Sequence, residues 1–240
     1  MRKLLAAFVL LGALVLPLPA AQAATPRFQI RCQPSHMAQE DPIVAPGMPS
    51  AHMHEFFGND TTNKDSSYQS MVGGGTTCSA NADTAGYWVP TLMSADGQRV
   101  HASTILVYYR GAAGERTVAF PPNLRIVSSD AVAGTSSSNL IVKFPSCWDG
   151  VHTDSADHIS HMANPSGMGC PRSHPVRVPA LTIVVRYPVG NVSGLRLSSG
   201  PLSTMHADFW NTWAQPGLEA LVARCLNNST TSCPRIDGGI

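Results

Sequence analysis

Lysine is almost missing from this chain: Lys3, Lys64 and Lys143 are the only three in 240 residues, and no basic run occurs anywhere. Sixteen Lys and Arg against fifteen Asp and Glu leave a formal charge of +1. A surface without basic clusters is a poor nucleic-acid or anionic-membrane binder. Charged residues make up 13% and the hydrophobic set 43%, which excludes a solvated disordered chain. Glutamate is scarce as well, with Glu40, Glu55, Glu115 and Glu219 the full set. A two-carboxylate glycosidase would therefore have to be built mainly from Asp. No C-x-x-C pair occurs, which argues against zinc held by cysteines.

Gly and Pro, in contrast, are abundant at 20 and 19, so turns are many and long helices few. Arg2 and Lys3 precede an apolar run from Leu4 to Leu18, and Ala21-Gln22-Ala23 offers a small-x-small cleavage site. That pattern reads as a signal peptide over 1–23, with 24–240 exported as a single secreted domain. No second apolar span follows, so no membrane contact is expected after cleavage. Six cysteines in an exported chain read as disulfides. Short separations make Cys147–Cys170 and Cys225–Cys233 the simplest bridges, which leaves Cys32 with Cys78.

Runs rich in β-branched and aromatic residues fall at 28–32, 87–92, 103–109, 123–127, 140–144 and 181–187. Their spacing predicts a mainly β fold, an antiparallel sandwich or jelly-roll-like body with long loops. Residues 41–47 read as an irregular extended loop, and 58–86 as a long polar loop. One helix is expected from Pro216 to Leu226, because Leu218, Leu221, Val222, Cys225 and Leu226 recur on one stripe.

The nine histidines cluster. His52-Met53-His54 places two imidazoles at i and i+2, on one face of an extended segment, and His206-Ala207-Asp208 repeats the spacing. Together His52, His54, His206 and Asp208 form a candidate set for a divalent metal ion or an acid/base network. Met53 inside the first pair hints at copper. A second cluster runs from Phe144 to Pro175 and contains Asp149, His152, Asp157, His158, His161 and His174, pinned by Cys147 and Cys170. There Asp149, Asp157, His161 and His174 are candidate catalytic residues, with His158 and His161 on one face of a helical turn. The cluster is expected at the rim of a pocket formed by the first set.

The order DPIVAPG, S-x-H-x-H, YWVP-x-L, FPSCWDG, DHISH, G-x-CPRSHPVRVPAL and HADF resembles the secreted domain-of-unknown-function family numbered nineteen ninety-six. The resemblance covers about 41–213. It implies an exported protein of a kind found in filamentous fungi and actinobacteria, sometimes beside carbohydrate-binding modules, and brings no activity with it. Three readings remain open. The first is a His/Asp-based, metal-dependent enzyme acting on extracellular polysaccharide, with Trp88, Trp148, Trp210 and Trp213 available to stack on sugars. The others are a non-catalytic glycan-binding or wall-associated module and a secreted metal-binding protein.

Overall fold

The protein is described by a computed structural model covering residues 25–112, 114–133, 137–167, 169–228, 233 and 236. The expected signal peptide lies outside the described residues, as does most of the C-terminal tail. Two five-stranded antiparallel sheets form the body. The first orders its strands as Arg27–Cys32, Thr104–Arg110, Ala180–Arg186, Asn139–Lys143 and Asp130–Ala133. The second runs Pro34–Glu40, Pro49–Gly58, Gly86–Pro90, Ala207–Trp210 and Arg125–Ser128. Pro34–Glu40 carries no β-rich run. It is an edge strand that begins with proline, and only an edge tolerates a residue that cannot donate to the ladder.

Alternation explains the layering. Ile30, Val107, Ile183 and Val142 of the first sheet face Phe57, Tyr87, Val89 and Phe209 of the second in one large core. The second sheet is buried on its outer side too, where Phe56, Trp88 and Trp210 pack with Ile43 and Met71 from the covering loops. Glycine at 58 is required by a left-handed backbone (φ 76°) and by the Ala85 carbonyl, 2.3 Å from where a Cβ would sit.

A polar chain crosses the main core. Both Asp83 oxygens accept from the Tyr87 hydroxyl, which meets the Tyr109 hydroxyl at 2.6 Å, and Trp213 Nε1 donates to Tyr109 at 3.0 Å. Burial raises the Asp83 carboxyl to about 8, against hydrogen bonds from Tyr87 and the Ala85 amide that favour its charged form. An unfolded Asp ionises near 3.9, so from about pH 4 to 8 the folded chain holds a proton that the unfolded chain has lost. This group's contribution is therefore full below about pH 4 and is lost as pH rises through about 8, at up to about 1.4 kcal/mol per unit. Asp83→Asn should flatten that decline between about pH 4 and 8. Parallel stability-versus-pH curves for the two proteins would contradict it.

The three bridges are Cys32–Cys78, Cys147–Cys170 and Cys225–Cys233. The C-terminal helix spans Gln215–Leu221 and continues as a wider turn over Val222–Leu226, with all five stripe residues buried. The 58–86 segment is a loop with one short helix, Tyr68–Met71. His158 and His161 do not share a helical face: His158 has φ 57°, a left-handed turn that stops any helix there.

Candidate metal centre

The Pro49–Gly58 strand pairs with Gly86–Pro90, which pairs with Ala207–Trp210. Phe56, Trp88 and Asp208 stand opposite one another, so the same parity sends His54 and His52 to the outer face of this sheet. Met53 lies between them in the strand, and alternation directs it to the opposite face. His206 immediately precedes its strand and reaches the same place.

There the three imidazoles converge. His52 Nε2 lies 3.1 Å from His206 Nε2, and His54 Nε2 lies 3.4 Å from it. The second ring nitrogens decide what these contacts are. His54 Nδ1 lies 2.8 Å from the Glu40 carbonyl, and His206 Nδ1 lies 2.9 Å from the Thr204 carbonyl. A carbonyl only accepts, so both Nδ1 atoms carry hydrogen. Burial, with His52 next in effect, pushes the His54 imidazole down to about 3, and burial also lowers His52. The neutral His54 ring then points an Nε2 lone pair at His206. When His206 is neutral its Nε2 is a lone pair as well, and no proton joins the two. His52 can donate to His206 only. A tetrahedral ion with 2.0–2.1 Å bonds to nitrogen spaces its ligands by roughly 3.3 Å, close to the two separations from His206.

Two carboxylates back the centre. Asp41 and Asp208 can each place an oxygen within 4.8 Å of a ring nitrogen of His54 and of one another. Asp41 Oδ1 accepts from the amides of Ile43 and Val44, both at 3.0 Å. Asp208 is fully buried, and among the described residues neither of its oxygens has a hydrogen-bond partner. Burial raises both carboxyls, Asp208 well above the ordinary range with the charge of Asp41 adding to it. Unpaired buried carboxylates are costly, and a neighbouring dication is the simplest counter-charge.

The second histidine cluster is anchored further along the same strand pair. Its hydrogen bonds run to Arg125, which stands beside Trp210, whereas Asp208 stands beside Val127. The Arg125 amide donates to the Thr153 carbonyl, and His161 Nε2 lies 2.7 Å from the Arg125 carbonyl. Asp149 pairs with His152 at 2.7 Å, and Asp157 caps the amides of Ile159 and Ser160. His174 is held outside by the Ser160 carbonyl. The structure thus brings His52, His54, His206 and Asp208 into one neighbourhood. Asp149, Asp157, His161 and His174 belong to a hydrogen-bonded group of their own, attached to the same sheet at Arg125.

Asp41 has a signal in the sequence, since Asp-Pro before a turn marks a side chain that caps following amides. The carbonyls of Glu40 and Thr204 have none, because a backbone acceptor leaves no trace in residue identity. The tryptophans correct the sugar-stacking expectation. Trp88, Trp210 and Trp213 are core residues, and half-buried Trp148 donates to the His152 carbonyl.

The family described as Domain of unknown function (DUF1996) matches residues 41–140 and 133–213. No curated protein and no solved structure matches the chain.

Proposed function

We propose that this chain, which belongs to the DUF1996 family, is a secreted metal-dependent enzyme. In this reading His52, His54 and His206 hold one divalent zinc or copper ion. The observation that carries it is the pair of Nδ1–H groups committed to carbonyls. They fix two Nε2 lone pairs on one point, the outer-shell pattern of metal-bound imidazoles. Three nitrogen donors leave a position for water, which such an ion brings to ionisation near neutral pH. Such an ion would supply the nucleophile for a hydrolysis, and Asp41 with Asp208 would balance its charge. Three disulfides, and no helix among the described residues long and apolar enough to cross a membrane, fit export through the leader at 1–23. An exported hydrolase meets extracellular polysaccharide as its abundant polymer, and we assign that substrate class.

The test is elemental analysis of protein made without a histidine tag. About one zinc or copper per chain is expected. Free metal at 100 times its Kd should add about 2.7 kcal/mol, or about 5–10 °C in Tm for a chain this size. A metal-free protein whose Tm ignores both metals and chelator would sink the reading. A second reading, sequestration without turnover, is favoured by the orphaned oxygens of Asp208 if one closes the fourth position. Azide separates the two: it should perturb the visible spectrum of a cobalt-substituted open site and leave a closed one unchanged.

A further inference from the structure

The 149–161 loop borders an open hollow of about 590 Å³, lined by Asp149, His152, Asp154, Ser155, Ser160 and His161. We propose that Ser155 is a nucleophile activated by His161, and that the hollow accepts carboxylic esters. The proposal is independent of the metal centre.

It begins with the tautomer of His161. This ring is buried, with Nε2 2.7 Å from the Arg125 carbonyl and Nδ1 2.8 Å from Ser155 Oγ. The carbonyl fixes the hydrogen on Nε2, so in the neutral ring Nδ1 is the acceptor that faces the serine hydroxyl. A general base needs that orientation and a group behind it to hold the ring. The holding group is itself braced: the Arg125 guanidinium lies over Trp210 and bonds Asp154 at 3.1 Å. The Asp149 amide donates to the His161 carbonyl, and Cys147–Cys170 closes the segment.

Asp157 Oδ1 also accepts from Ser155, at 2.7 Å. Its carboxylate is held well below the usual range, first by the Ser160 amide and then by Ser155 and the Ile159 amide. When the serine proton turns to His161, those two amides still satisfy Asp157, and its charge steadies the imidazolium that forms. Ala156 lines the hollow, and its amide has no acceptor among the described residues. That leaves an N–H directly after the nucleophile for a developing oxyanion. Val151 and Ile159 stand 72% and 59% exposed on the same loop, apolar surface near in sequence to the hollow that an acyl group can meet. The acids Asp149 and Asp154 in the lining disfavour anionic esters.

The chemistry closes without a further reactant. Ser155 Oγ bonds to the ester carbonyl carbon, and its proton passes to His161 Nδ1. Collapse breaks the bond to the alcohol oxygen, which leaves with that proton. Water, deprotonated by the same nitrogen, then cleaves the acyl-serine and returns the acid and the free hydroxyl.

A fluorophosphonate probe tests this, because Oγ displaces its fluoride and leaves a stable phosphonyl-serine. Full-length protein should gain one adduct, mapped by mass spectrometry to Ser155, lost in Ser155→Ala and unaffected by chelator. His161→Gln should slow labelling by about 100-fold or more. No adduct on folded wild-type protein, or an adduct at another residue, overturns the proposal. So does Ser155 labelling at an undiminished rate in a His161→Gln protein that melts normally. Should His161→Gln fail to fold, the wild-type and Ser155→Ala pair decides alone.

Discussion

Replacing His206 with alanine should lower the affinity for zinc or copper by about 100-fold or more while the metal-free Tm falls by only a few degrees. Loss of an outer partner to a metal-bound histidine already costs about 10- to 100-fold, so loss of a ligand sets that range as a floor. Stability suffers little because His206 is half-buried and its one carbonyl bond, to Thr204, contributes about 1 kcal/mol. His54→Ala is expected to behave differently. Its ring is fully buried, and its removal strands the Glu40 carbonyl, which costs about 1–3 kcal/mol on top of the metal. Calorimetric titration of the two variants beside wild type checks both claims. Wild-type affinity in His206→Ala would remove the imidazole triad as the site.

The second large effect concerns Cys32–Cys78, which closes a loop of sequence separation 46. Chain-entropy reasoning gives about 4 kcal/mol for a loop of that length. The Cys32→Ala/Cys78→Ala double variant should therefore lose about 8–16 °C in Tm. The site should feel it too. The enclosed loop supplies the Lys64 amide, which donates to Glu40 Oε2, and the Glu40 carbonyl orients His54. A weakened metal affinity in a double variant that is still folded is the expected result. An unchanged Tm on removing this bridge contradicts the entropic account.

How much of this the sequence discloses depends on the kind of interaction. The strands at 104–110, 139–143 and 180–186 follow from β-branched runs, and the last helix from its apolar stripe, because both bury side chains at a fixed period. That His52 and His54 share a face was legible from their i, i+2 spacing, since strand parity is a local property; that His206 joins them depends on strand order across the sheet. The position of the Asp149–His174 loop was not. It is fixed by hydrogen bonds from Arg125, between residues distant in sequence and of ordinary type. The Pro34–Glu40 strand escaped because its half-buried pattern gives no alternation to read. The partners of the imidazoles escaped for a third reason: they are main-chain atoms.

The strand Ala207–Trp210 turns Ala207 and Phe209 into the main core and Asp208 and Trp210 outward. A slip of one residue in its pairing would exchange the two sets, driving a carboxylate into the large core and stripping the outer face of its acid. No partly correct pairing can therefore yield a working centre on a faulty sheet. An ion that binds the three imidazoles would act as an inspector of the folded chain, retained only by copies whose strands have zipped in the right frame.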